Sequence, residues 1–156
     1  MIYEIHLYVP KTGQLTPLML EWLFQYGQGD EQPEAHWPVR EINPKALARL
    51  LLKFDPALRA TNIPTGGVEL RHEDERLGII FYIHERGLIL FFPYMSYGVL
   101  SRIVLGICYT YIRYLYEVVG FWSYDPQLNI VSYADDFRSI EETAILMDKI
   151  MPKLLE

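Results

Sequence analysis

Positive charge, cysteine and uninterrupted apolar sequence are all scarce in this chain, and each scarcity excludes a class of protein. Cys108 is the only cysteine in 156 residues, so no internal disulfide can form and nothing points to an oxidising compartment. The chain has 14 lysines and arginines against 20 aspartates and glutamates, a formal net charge of −6. Because nucleic acids and anionic membranes are bound through clustered basic side chains, we expect neither as a partner.

The longest apolar stretch, residues 87–109, does not fit a membrane span. It reads GLILFFPYMSYGVLSRIVLGICY, in which Pro93 breaks the run and Arg102 adds a charge. An arginine near the membrane centre costs about 2.5–3.5 kcal/mol, whereas a buried strand followed by a buried helix accounts for the same residues. The amino terminus, MIYEIHLYVP, alternates like a strand and lacks the regions of a signal peptide, so a cytoplasmic protein is expected.

The chain is rich in core-forming residues. It is 51% hydrophobic and 14% aromatic, which is enough for one domain over residues 1–156. Period-two alternation predicts strands at residues 3–9, 68–72, 77–84, 88–94 and from Phe121, and a short extended piece is expected at residues 129–133. Caps and helical periodicity predict helices from Thr16, from Asn43, and over residues 96–119 and 139–151. We therefore expect an α+β domain with a mixed or antiparallel sheet of about five strands and helices mainly on one face, broadly like a ferredoxin-type sandwich.

No catalytic constellation, metal site or cofactor motif is recognisable. His72 precedes three acids, but neighbouring strand residues point to opposite faces and no second histidine stands at a zinc-site spacing. His84 and Glu85 have no candidate nucleophile near them in sequence, and we interpret them as part of a turn. Cys108 lies mid-helix between apolar residues and is expected to be buried and inert. We therefore predict a non-enzymatic protein without a cofactor.

The polar loop at residues 27–42, GQGDEQPEAHWPVREI, suggests protein binding. A large aromatic such as Trp37 in a polar loop either folds back as a plug or anchors a partner. The acids around it suit a basic protein partner. Our leading hypothesis is a partner-binding surface formed by Glu31, Glu34, Trp37 and Asp125.

Two other hypotheses remain open beside this one. Tyrosines recur on the long predicted helix and before it, and their apolar bodies with polar tips suit pockets as well as interfaces. A pocket between the sheet and this helix would bind a small molecule or serve a simple hydrolase; its lining would be Tyr82, His84, Tyr94 and Tyr111. In the third hypothesis the apolar long helix mediates homo-oligomer formation. His6 shares a strand face with Glu4 and Tyr8, and that face is either exposed or covered by a partner.

The tetrapeptide YDPQ, residues 124–127, has the chemistry of a turn. The carboxylate of Asp125 can accept from the backbone two residues on, and Pro126 presets the turn's dihedral angle. Gln127 could satisfy an exposed strand edge. Nothing beside them provides a nucleophile, a base with an orienting partner or a metal cage.

The sequence around this turn resembles a known pattern. A helix followed by GFWSYDPQLNIVSYADDF, residues 120–137, is similar to the carboxy-terminal part of a family of small uncharacterised bacterial α+β proteins, in which a helix leads into G-aromatic-x-x-YDPQL-x-x-V. The strand ending in FFPYMS, residues 91–96, also resembles that family, and the resemblance covers residues 68–137. Some relatives of this general type are suspected immunity or toxin-antagonist proteins. The resemblance therefore implies an α+β fold and suggests an immunity-like function. Combined with the acidic composition, our leading hypothesis is a protein that masks a basic toxin or other basic partner.

Overall fold

The protein is an α+β domain, described from a computed structural model that covers residues 2–26, 37–93 and 99–132. Within these residues, three helices accompany one open antiparallel sheet of seven strands. In chain order the elements are β1 (Ile2–Tyr8), α1 (Pro17–Tyr26), α2 (Pro44–Phe54), β2 (Leu58–Asn62), β3 (Val68–His72), β4 (Ile80–His84), β5 (Gly87–Pro93), α3 (Val99–Val119), β6 (Trp122–Asp125) and β7 (Ile130–Ser132). The predicted cap Ser96 and the predicted last helix at residues 139–151 lie outside the described residues.

The sheet corrects the predicted strand count of about five. Its order is β2-β3-β4-β5-β1-β6-β7, so the amino-terminal strand lies inside the sheet between β5 and β6. Strand β2 was not predicted because only Leu58 is buried, and the other four residues lack any apolar alternation. Strand β7, which pairs with β6, lies within the short extended piece expected at residues 129–133.

Helices α2 and α3 cover one face of the sheet, which we call the α2–α3 face. Helix α2 begins where Asn43 Oδ1 accepts from the backbone N–H of Ala46 at 3.1 Å, and Pro44 follows this cap, as predicted. Its buried residues are Leu47, Ala48 and Leu51. They join the main core with alternate side chains of the sheet and with the inner side of α3. The space between the sheet and the long helix is therefore filled.

Helix α1 lies on the opposite face, which we call the α1 face. Thr16 Oγ1 accepts from the backbone N–H of Met19 at 3.3 Å and caps the helix, as predicted. Leu20 and Leu23 pack into a second, smaller core that contains Tyr8 of β1. Helices thus cover both faces of the sheet, whereas a ferredoxin-type sandwich leaves one face open. None of the helices in the described ranges is long and apolar enough to cross a membrane.

Candidate functional site

The α1 face of the sheet carries a cavity of about 860 Å³. Ligand cavities typically measure about 300–1,000 Å³, so this one has the size of a small-molecule site. Strands β1, β4 and β5 form its floor, α1 forms one wall with Leu23 and Phe24, and the β4–β5 turn forms another with Glu85 and Arg86. The turn before β3 closes a further side with Thr65 and Gly66.

Four polar aromatic side chains define the floor, and we call them the aromatic floor: His6, Tyr8, Tyr82 and His84. His6 and Tyr8 are two positions apart on β1, and Tyr82 and His84 are two positions apart on β4. The two members of each pair therefore lie on the same face of the sheet. The rings of Tyr82 and His84 are 5.9 Å apart, and those of His6 and Tyr8 are 6.5 Å apart with planes inclined by 21°. The register Tyr82↔Ile89↔His6 places an apolar side chain between the two pairs.

Two glycines let these rings lie close to the backbone. A Cβ atom on Gly87 would lie 2.8 Å from Tyr8 Cδ1 and 2.4 Å from the carbonyl oxygen of Leu7. A Cβ atom on Gly67 would lie 2.8 Å from the carbonyl oxygen of Ile83, with the Tyr82 ring 3.6 Å away. Side chains at these positions would push into the floor, so the glycines keep the cavity open.

The wall residues are themselves aromatic and fixed. The Phe24 ring packs edge-on to His6 at 5.6 Å. Trp37 is buried, with 4% of its surface exposed, and packs edge-on to Trp22 at 5.0 Å. The guanidinium of Arg86 lies 4.4 Å from the centre of a Trp37 ring, a cation–π contact.

His84 is held in one tautomer and without charge. Its Nδ1 accepts a hydrogen bond of 3.2 Å from the backbone N–H of Arg86, so the ring proton of the neutral form is on Nε2. Burial, and to a smaller extent repulsion from His6, lower the pKa of His84 from 6.5 to about 4. At neutral pH, His84 therefore offers the cavity a hydrogen-bond donor and no positive charge.

Three polar atoms of the floor form no hydrogen bond with the residues that the structure describes. His6 Nε2 is buried and lies 3.3 Å from Glu4 Oε1, but it forms no aligned hydrogen bond. Neither Nε2 of His84 nor the hydroxyl of Tyr82 is used in a hydrogen bond within the described part of the chain. Buried polar groups are normally satisfied, so the buried His6 Nε2, beside the part-buried Tyr82 and His84, indicates a surface that can contact a further group.

The predicted pocket lining is divided between the two faces of the sheet. Tyr82 and His84 lie together on the aromatic floor, as the pocket hypothesis requires. Tyr111 lies on the α2–α3 face instead, where its ring packs edge-on to Phe81 at 5.0 Å and its hydroxyl donates to Asp55 Oδ2. The cavity is thus not between the sheet and the long helix. Tyr94 lies outside the described residues.

The predicted partner surface has a different outcome. Glu31 and Glu34 lie outside the described residues, and Trp37 is the plug of the smaller core. Asp125 is only 5% exposed, and Tyr3 donates its hydroxyl proton to Oδ2 while Oδ1 accepts from the backbone N–H of Gln127 at 2.9 Å. The carboxylate is therefore committed to contacts inside the protein, and we leave Asp125 out of any surface proposal.

Gln127 completes the turn in the way its sequence position suggested. Its Nε2 donates to the carbonyl oxygen of Glu4 at 2.8 Å, and its Oε1 accepts from the backbone N–H of the same residue at 3.2 Å. The side chain thus pairs with the backbone of β1 just beyond the end of β6. This confirms the interpretation of YDPQ as a structural turn.

Cys108 is fully buried, as predicted, and burial raises the pKa of its thiol far above the ordinary range, which disfavours the reactive thiolate. In the described ranges, no group of three histidine, cysteine, aspartate or glutamate side chains could hold a metal ion. His6, Tyr8 and Gly67 line the cavity and were not assigned to a site by the sequence analysis. For His6 and Tyr8, the sequence signal was the period of two in β1, which places both side chains on one face of the strand.

The chain matches no protein-family model, and no curated protein or solved structure matches it significantly. The geometry of the cavity therefore carries the functional argument. The resemblance at residues 68–137, the basic protein partner and the homo-oligomer stay predictions.

Proposed function

We propose that this protein binds a small organic molecule in the cavity on the α1 face. The observation that supports it most is the aromatic floor, where His6, Tyr82 and His84 line a cavity of about 860 Å³ and carry polar atoms that form no hydrogen bond within the described residues. Ligand sites usually combine aromatic and apolar side chains with a few polar groups that fix the ligand's orientation, and this cavity has both kinds of side chain.

The environment of His84 fits ligand binding better than it fits general-base catalysis. A general base must accept a proton, but Nδ1 of His84 is occupied by the backbone N–H of Arg86 and Nε2 carries the ring proton. At neutral pH the imidazole can therefore donate a hydrogen bond and cannot take a proton through Nε2. We accordingly propose a binding protein in preference to an enzyme.

A thermal-shift screen with two matched variants tests this proposal. Ile89→Trp would fill the cavity, because Ile89 lies on its floor between Tyr82 and His6. Ile80→Trp is the control: Ile80 lies on the same face, two residues before Tyr82, but does not line the cavity. Circular dichroism would establish that both variants fold.

We expect compounds that raise the melting temperature of the wild-type protein and of Ile80→Trp, but not of Ile89→Trp. A ligand at about 100 times its Kd adds about 2.7 kcal/mol of stability, which is a shift of several degrees for a chain of this length. Hits that stabilise Ile89→Trp equally would place the binding site elsewhere. If compounds of every charge and ring type at millimolar concentration leave the wild-type protein unchanged, the proposal fails.

A further inference from the structure

The aromatic floor also restricts which molecules the cavity can take, and this step rests on the function proposed above. The planes of His6 and Tyr8 are inclined by only 21°, and Gly67 and Gly87 let Tyr82 and Tyr8 lean over the backbone. With Ile89 between the two ring pairs, the floor presents ring faces and one aliphatic surface. Aromatic faces gain most from a flat partner that stacks on them or meets them edge-on.

Charge is disfavoured at the floor. The burial that lowers the pKa of His84 would also penalise a charged group placed beside it, whatever its sign. The charged side chains that line the cavity are at its side, on Glu41, Glu85 and Arg86, and carry both signs. The Arg86 guanidinium already stacks on Trp37, so it does not turn the floor into an anion site.

Hydrogen bonding is nevertheless required at the floor. The neutral tautomer of His84 points a donor, Nε2–H, at no partner within the described chain, and the Tyr82 hydroxyl beside it is also unused. Covering such groups with a purely apolar ligand would leave them buried and unsatisfied, which is costly. The ligand must therefore carry an acceptor within its ring plane or at its edge.

From these three features, we infer that the cavity binds an uncharged, planar heteroaromatic ring, stacked against the aromatic floor, with an acceptor atom that receives the Nε2–H of His84. A flat ring can stack on the aromatic floor, and an uncharged ring avoids the cost of burying a charge. The acceptor atom satisfies the Nε2–H of His84. A saturated or a permanently charged ring satisfies only part of this set.

Three probes separate these requirements, with binding followed by NMR of 15N-labelled protein at neutral pH. Quinoline is flat, uncharged and carries an acceptor nitrogen. N-methylquinolinium keeps the flat ring but is permanently charged and has no acceptor. The saturated bicyclic ketone 2-decalone keeps an acceptor and similar size but is not flat. We expect quinoline to bind at least about tenfold more tightly than either of the others.

Variants at His84 test its role as the donor. His84→Phe keeps a ring and removes the donor. His84→Asn retains an acceptor for the Arg86 N–H, and its shorter amide cannot place a donor where Nε2 of the imidazole lies. Each should weaken quinoline binding about tenfold, the value of one hydrogen bond. His72→Phe is the matched control, because His72 Nδ1 likewise accepts from a backbone N–H, that of Asp74 at 2.9 Å, but His72 does not line the cavity.

The outcomes distinguish this inference from the proposed function. Equal or tighter binding of 2-decalone or N-methylquinolinium at the floor would overturn the ligand class while leaving a small-molecule site in place. An unchanged quinoline affinity in His84→Asn would overturn the role of His84. If none of the three probes moves the signals of floor residues and the wider screen also yields nothing, the proposed function fails with the inference.

Discussion

His84 illustrates how two contacts fix the chemistry of one side chain. The backbone N–H of Arg86 occupies Nδ1, and protonating that nitrogen would replace a hydrogen bond with a clash between two N–H groups. Burial acts in the same direction and lowers the pKa to about 4. The neutral imidazole is thus the only form present over the physiological pH range, which suits a donor and does not suit a pH sensor.

This lowered pKa predicts a specific pH dependence of stability. The unfolded chain binds the proton near pH 6.5 and the folded chain only near pH 4. Protonation therefore favours unfolding, so this group's contribution is complete above about pH 6.5 and is lost as the pH falls towards about 4. Over that window, the loss amounts to roughly 3 kcal/mol.

Urea unfolding of the wild-type protein and of His84→Asn at about pH 7 and about pH 4.5 measures this effect. The wild-type protein should lose more free energy of unfolding between the two pH values than the variant does. NMR titration of the imidazole should give a midpoint near 4. A midpoint near that of a free histidine, or equal losses in the two proteins, would show that the burial is not as described.

Residue-level prediction succeeded where the determining contacts are local in sequence. The roles of Asp125 and Gln127 in the turn followed from spacing, because the partner N–H of Asp125 is two residues away. The burial of Asp125 did not follow, since its second oxygen accepts from Tyr3, 122 residues distant in the chain. Because this long-range contact cannot be read from the sequence, Asp125 was wrongly assigned to a surface.

Among the secondary-structure elements, α2 was predicted from the sequence and β2 was not. Helix α2 has a cap at Asn43, a proline at the first position and an amphipathic face, so three independent signals agree. Strand β2 exists because β3 offers it a complete antiparallel register, from Leu58↔His72 to Asn62↔Val68. That partner is non-local, and an exposed edge strand carries little pattern of its own.

The glycines of β5 and α3 provide a matched test of element packing. Gly87→Ala places a Cβ against a backbone oxygen of β1, so the β1–β5 pair must shift, and we expect a loss of about 1–3 kcal/mol. Gly106→Ala meets nothing within 4 Å and relieves a glycine inside a helix, so it should gain about 0.5–1 kcal/mol. Denaturant unfolding of the two variants beside the wild-type protein measures both changes.

Opposite signs for the two substitutions are the decisive result. If Gly87→Ala proved as stable as the wild-type protein, β5 would not approach β1 as closely as described. The close contact between Gly87 and the Tyr8 ring would then be wrong as well. Gly106→Ala controls for the general entropic benefit of replacing glycine. A loss of stability in that variant would mean that a neighbour covers the exposed side of α3 at this position.

For the whole molecule, the location of the cavity could not be read from the chain. Composition and periodicity predicted an α+β domain, which is confirmed, but they do not assign each helix to a face of the sheet. Helix α1 and the long helix lie on opposite faces, so Tyr82 and Tyr111 are separated although both were expected in one pocket. Only the three-dimensional arrangement joins His6 from the start of the chain to His84.

The strand order also predicts how stability is distributed through the fold. Strand β1 pairs with β5 through six residue pairs and with β6 through three, and five of its seven residues are buried. Strand β2 has one neighbour in the sheet, β3, and exposes four of its five residues. Opening β1 requires disrupting most of the sheet, whereas opening β2 disrupts one edge.

Native-state hydrogen exchange should therefore show the slowest amides in β1 and β5, close to the global free energy of unfolding, and faster exchange in β2. The comparison should use amides that form ladder hydrogen bonds in each strand, so that burial and position, not the presence of a bond, set the difference. Equal protection of β2 and β1 would mean that the sheet opens only as a unit. That outcome would contradict the prediction that β2, at the end of the order β2-β3-β4-β5-β1-β6-β7, opens independently of the rest of the sheet.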